Sequence, residues 1–281
     1  MTIRDFLGLR PTDDPNRWGL ELTPRVLTPA GAMHGGAALA ATVEALEGTT
    51  GRPLVWATAH YLTHAGPRGW VDVNVSVEVA GHQTTQARAQ LSLGGVEVLL
   101  TVASLGARDS RQPGRWVSPP DAPGPQEAMH RPTSPPGTES VIDHYEIRIA
   151  TGRMGTELDG TPGSGRSVLW CRLPEGRRPV TAGDIAFVGD LLMLGLSDAI
   201  GAPTTANSLD NTIRIVERVP TEWIMLDVQI DAAASGYAHA GARLWTEDGA
   251  LLGMATQTLV LRSAGTHGRS SRSTRRIVGT S

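Results

Sequence analysis

Two stretches decide how this chain reads: Ala32–Glu47, AMHGGAALAATVEALE, and Asp184–Ile200, DIAFVGDLLMLGLSDAI. Both consist of helix-forming or small apolar residues, and neither has a polar face of any width. A helix that is apolar all round cannot lie on a surface; it must be enclosed. Each stretch is followed by strand-like runs. After the first come Trp56–Leu62, Trp70–Val79, Thr84–Leu93 and Val96–Leu105; after the second come Leu209–Val216, Trp223–Ile230, Ala238–Thr246 and Ala250–Arg262. The runs alternate and are bounded by turn signals such as Gly94-Gly95 and Glu247-Asp248-Gly249. An offset of roughly 153 residues lays Trp70 on Trp223, and one more residue lays Ala103 on Gln257. The pattern predicts a duplicated α+β unit, each copy one long helix wrapped by a curved antiparallel sheet.

Outward from the two copies the composition changes. Gly106–Ser140 is dense in Pro, Gly and Ser (Ser118-Pro119-Pro120, Pro123-Gly124-Pro125, Ser134-Pro135-Pro136-Gly137) and reads as a connector. Ser263–Ser281 sets four arginines among serines and reads as a disordered basic tail. The expected organisation is therefore a first unit over 1–105, a linker over 106–143, a second unit over 144–262 and a tail over 263–281.

The totals exclude several function classes. All 25 basic residues are arginine, against 28 acidic ones, for a net charge of −3. Without lysine there is no phosphate loop ending in Gly-Lys-Ser/Thr, and no Schiff-base or kinase-type lysine. The balance offers no basic face for nucleic acid. A lone Cys171 cannot build a disulfide framework or a cysteine metal cluster. No apolar run is long enough to span a bilayer and Met1–Arg10 lacks a signal peptide's pattern, so a cytoplasmic protein is expected.

Within the second copy, Ser208-Leu209-Asp210 precedes strand Thr212–Val216, Glu222-Trp223 opens the next strand, and Thr246-Glu247-Asp248-Gly249 leads to Ala255-Thr256-Gln257-Thr258. In that order and spacing these residues resemble the double hotdog acyl-CoA thioesterases, above all the acyl-CoA thioesterase II (TesB-like) branch and its actinobacterial relatives. The resemblance covers roughly residues 15–105 and 145–262. It implies hydrolysis of an acyl-CoA or related thioester, without a cofactor or metal, by a homo-oligomeric protein. It also implies a water held by an aspartate, a glutamine and a small hydroxyl residue. Asp210 matches the aspartate and Gln257 the glutamine; the hydroxyl position falls on Asp231, an acid in its place. His34-Gly35-Gly36, opening the first helix, resembles the His-Gly-Gly of single-copy hotdog thioesterases of the phenylacetyl-CoA type. Those place an acid nine residues after the histidine, where this chain has Val43, with Glu44 one later.

The chemistry is coherent in itself. Thioester hydrolysis needs a base for water, a group to orient it, and N–H donors for the oxyanion. A helix start supplies unpaired N–H groups, and Gly35-Gly36 lets a carbonyl come close to them. Asp190, midway along the second apolar helix, is the odd residue there. Two rivals stand beside hydrolysis: a catalytically silent acyl-thioester binder, and an enoyl-CoA hydratase, for which Asp13-Asp14-Pro15-Asn16 lacks the following histidine.

Overall fold

The computed structural model describes residues 1–108, 114–131 and 140–262. The first part carries α1 (Ile3–Leu7), β1 (Arg10–Pro11), β2 (Arg17–Glu21), α2 (Gly35–Thr50), β3 (Leu54–Tyr61), β4 (Trp70–Ala80), β5 (Thr84–Leu93) and β6 (Val96–Gly106). The second carries β7 (Met129–His130), β8 (Ile147–Thr151), β9 (Arg166–Arg172), β10 (Arg178–Pro179), α3 (Ala182–Gly189) and α4 (Leu196–Ile200). It ends with β11 (Thr205–Ile215), β12 (Pro220–Thr221), β13 (Trp223–Ala234), β14 (Tyr237–Thr246) and β15 (Leu251–Arg262). Among the described residues thirteen strands form one sheet, in the order β1-β2-β4-β5-β6-β3-β11-β15-β14-β13-β9-β8-β7.

Read outward from the middle, that order is the same sequence twice. The strand after each helix (β3, β11) lies at the seam, then come the fourth, third and second strands, then the strand preceding the helix. The two copies join by antiparallel pairing of β3 with β11, Thr58 opposite Thr212, whose hydroxyls meet at 2.9 Å. Alternation in the strands sends one face inward: Val71, Val73 and Val75 of β4 are buried, as are Ala87, Ala89 and Leu91 of β5.

Helix α2 fills the first half of the sheet. Every residue from Gly36 to Leu46 is buried, and Gly51 ends the helix at φ 64°. Burial of Leu39, Val43 and Leu46 stabilises by about 1.5–3 kcal/mol each. The alanines between them let α2 pack directly on α3. The expected helix at Asp184–Ile200 is not continuous: α3 ends at Gly189, a tight 3₁₀ stretch runs from Asp190 to Gly195, and α4 completes it. The two glycines weaken the helix on either side, and Asp190 turns its carboxylate toward the other copy. At its start, Thr181 and Asp184 form a capping box, with Arg178 bidentate on Asp184 at 2.7 Å.

The connector differs from expectation. Arg115–Met129 is a strap laid over the outer face of the second half-sheet. It covers Trp170, Trp223, Met225 and Trp245; Trp170 Nε1 donates to the Pro123 carbonyl at 3.0 Å. Residues 109–113 and 132–139 of the connector and the tail 263–281 lie outside the described residues. Cys171 is a core thiol, its pKa pushed up by burial.

Candidate active site

The floor of the site is the carboxylate of Asp190, 2% exposed. Its Oδ2 accepts from the backbone N–H of Gly36 at 2.7 Å, a bond from one copy to the other. Its Oδ1 accepts from Asn211 Nδ2 at 3.3 Å and from Gln257 Nε2. A buried anion needs donors of this kind to offset lost hydration. His34, the residue before α2, brings Nε2 to 3.6 Å from Asp190 Oδ2. Burial outweighs the attraction of Asp190 and holds His34 below its ordinary pKa of 6.5, so the ring is neutral at pH 7. Tyr61, on β3, donates to the Gly35 carbonyl at 3.1 Å and steadies the first turn of α2. Burial and the nearby Asp190 charge lift its phenol well above the usual range, so it remains a donor.

Close approach explains the glycine pair. A Cβ on Gly36 would stand 2.8 Å from both the Asp190 Cβ and the Phe187 carbonyl oxygen. Only a bare backbone brings this N–H to that carboxylate. His34 Nδ1, Asn211 Oδ1 and Gln257 Oε1 are buried without a protein partner among the described residues. They retain capacity for a bound molecule.

From Asp190 a cavity of about 670 Å³ opens along the seam. Met33, Gly35, Ala38, Val98 and Met193 line its walls, and His64, Asn207 and Arg262 stand among its lining residues. Apolar walls around a few convergent polar groups are the usual form of a small-molecule site.

Of the residues expected from sequence, His34, Gly35, Gly36 and Gln257 are brought together. Asp210 is not with them. It pairs across the strands with Thr258, whose N–H it accepts at 3.0 Å, next to the bulge at Leu209. The inward neighbour on β11 is Asn211, fully buried opposite Gln257. Adjacent strand residues face opposite sides, so Asp190 takes the place at Gln257 expected for Asp210. Asp231 sits exposed in the bulge of β13, with β14 and β15 between it and β11. Asp190, Asn211 and Tyr61 are the residues that sequence reasoning did not assign. Asp190 had a usable signal, since it stands nine residues after the cap Thr181, the spacing of the acid in His-Gly-Gly hotdog enzymes.

The fold is shared with solved structures. A candidate thioesterase from Novosphingobium aromaticivorans is 29% identical, with a TM-score of 0.80 over 91% of this chain and 98% of that one. A protein described as having a hot dog fold, from Alicyclobacillus acidocaldarius, is 16% identical, with a TM-score of 0.81 over 93% and 98%. The acyl-CoA thioesterase II TesB2 of Mycobacterium marinum is 17% identical, with a TM-score of 0.72 over 94% and 99%. No curated protein matches in sequence. Hotdog architecture is thus the class. Residues 113–261, more than half the chain, match the model of the acyl-CoA thioesterase C-terminal domain, and the chain belongs to that family. No described helix is long and apolar enough to cross a membrane.

Proposed function

We propose that the chain is a tandem hotdog thioesterase that hydrolyses an acyl-CoA at Asp190. The observation that carries this is the Gly36 N–H of one copy on the Asp190 carboxylate of the other, at the floor of an apolar cavity. The thioester carbonyl would lie against the first turn of α2, whose free N–H groups, Gly35 foremost, receive the oxyanion. Asp190 takes a proton from water as the water oxygen bonds to the carbonyl carbon. The tetrahedral intermediate then breaks its C–S bond, and the thiolate leaves with the proton that Asp190 held. Gln257 and Asn211 fix the carboxylate through Oδ1. Asp190 stands here in the role that the resemblance gave to Asp210, and Asp231 has none.

The test is release of free thiol from a panel of acyl-CoAs, read with a chromogenic thiol reagent. Wild type turns over at least one and Asp190→Asn almost none. A wild type inert toward every thioester tried, yet binding them, would leave the silent binder as the better reading.

A further inference from the structure

The first turn of α2 has to be held from outside. Thr181 and Asp184 cap α3 with their own side chains, but His34, in the same place before α2, makes no capping hydrogen bond. A capping side chain would consume the N–H groups that an oxyanion needs. Tyr61 and Asp190 hold the backbone of Gly35 and Gly36. The ring packed on His34 is that of Phe187 in α3, centroids 5.4 Å apart and planes at 37°. Phe187 also sets its carbonyl oxygen 2.8 Å from where a Cβ on Gly36 would stand. One residue of the second copy thus meets both neighbours of Gly35.

Phe187 is fixed in its turn. Tyr145 stacks on it at 4.4 Å and 23°, and Phe6 of α1 stands edge-on to both, at 5.2 Å from Tyr145 and 6.2 Å from Phe187. All three are buried. The chain has two phenylalanines and three tyrosines; both phenylalanines and one tyrosine meet here, in a core otherwise largely aliphatic. Aromatic rings turn about two side-chain bonds only, so they hold a neighbour with little freedom of their own. The Tyr145 hydroxyl is buried without a partner among the described residues, so the position uses the ring and not the hydroxyl.

Resting on the reading of Asp190 as the hydrolytic base, we propose that Phe187 is a positioning residue for hydrolysis. With Tyr145 and Phe6 behind it, Phe187 fixes the His34 ring and the first turn of α2, so that the Gly35 N–H faces the thioester carbonyl. The N-terminal helix α1 is thereby part of the support of the active site.

The experiment combines steady-state hydrolysis of the best acyl-CoA substrate with an NMR titration of the His34 imidazole. The variants are Tyr145→Leu, Tyr145→Phe, Phe6→Leu and Leu105→Ala. Tyr145→Leu lowers kcat about tenfold, less than the loss from misplacing a reacting group outright, with KM within about twofold of wild type. Tyr145→Phe keeps the ring and recovers that loss. Phe6→Leu costs about threefold in kcat, and carries the test should Tyr145→Leu not fold. Leu105→Ala, buried at the far end of β6, lowers the melting temperature and leaves kcat as it was. The His34 titration lies below 6.5 in wild type, where burial outweighs Asp190, the charge that faces it. In Tyr145→Leu it moves up toward 6.5 as water reaches the ring, and in Tyr145→Phe it stays. An unchanged kcat and titration in Tyr145→Leu overturn the proposal, as does a loss equally large in Tyr145→Phe. A fall of kcat in Leu105→Ala that matches Tyr145→Leu also overturns it, since stability alone would then explain both. Should Asp190→Asn keep its turnover, the reading of Asp190 fails, while the His34 titration still tests the positioning without turnover.

Discussion

The starts of α2 and α3 are built alike and end differently. Each has a glycine as its second residue, Gly36 and Gly183, and each glycine packs against an acid from the other half of the chain. Asp190 lies against Gly36; Glu44 lies so close to Gly183 that a Cβ there would come within 2.6 Å of Glu44 Oε1. At α2 the acid takes the glycine N–H and two strand amides, and a cavity opens in front of it. At α3 the acid is closed in. Arg4 of α1 grips Glu44 Oε2 at 3.2 Å, and Ile3 lies against the same Gly183. An acid near a helix start is therefore not enough for chemistry. The space in front of it decides, and α1 occupies that space in the second copy.

The largest expected effect separates the two aspartates of the seam. Asp190→Asn lowers kcat by about 10²–10⁴, the usual worth of a general base. Asp210→Asn keeps an oxygen for the Thr258 amide and stays within about threefold of wild type in steady-state assays. The reverse ranking would move the base to Asp210 and end the proposed mechanism.

Next come the two glycines, substituted one at a time. Gly36→Ala must push Asp190 or the Phe187 carbonyl aside, and a displaced donor costs about 10² in kcat. Gly183→Ala meets Glu44 and Ile3 and destabilises by about 1–3 kcal/mol in denaturant melts, with kcat unchanged in the folded fraction. Equal kinetic damage from both would mean that the second helix start is also catalytic.

The smallest effect concerns Glu44 and pH. Burial raises its pKa above 4.5, with Arg4 opposing. Between 4.5 and the raised value the folded chain holds a proton that the unfolded chain has released, so stability falls as pH rises through that window. Glu44→Gln removes this loss. Thermal melts should show the variant about 2–4 °C more stable near pH 8, roughly 1 kcal/mol for a chain of this size. The gain should vanish toward pH 4.5. A gain independent of pH would show that the ionisation of Glu44 is not what costs the fold its stability.

The strands were readable because their signals are periodic, and the helices because they are apolar all round. Thr84–Leu93 matches β5 at both ends, and Trp223 and Arg262 mark strand ends as expected. The strands that precede each helix, β2 and β9, carry no such isolation: Val168–Cys171 is buried throughout and does not alternate. The surroundings of Asp190 were not legible in sequence for a reason of parity. The bulge at Leu209 shifts β11 against β15, so the acid in Ser208-Leu209-Asp210 turns away while Asn211 turns in. Asp190 was hidden by the partition between copies. The His-Gly-Gly stands in one and the acid at the ninth position in the other, so no single stretch shows both.

The strap over the second half-sheet has a consequence for anyone who would take the molecule apart. Trp170, Trp223 and Trp245 are each at most 3% exposed with Arg115–Met129 in place. A fragment that starts after the strap would lose the Pro123 carbonyl on Trp170 and Arg115 over Trp245, and the apolar surface uncovered is an invitation to self-association. Any piece of the C-terminal half therefore needs Arg115–Met129 to keep those indoles covered. The family match, which starts at residue 113, draws its boundary in the same place.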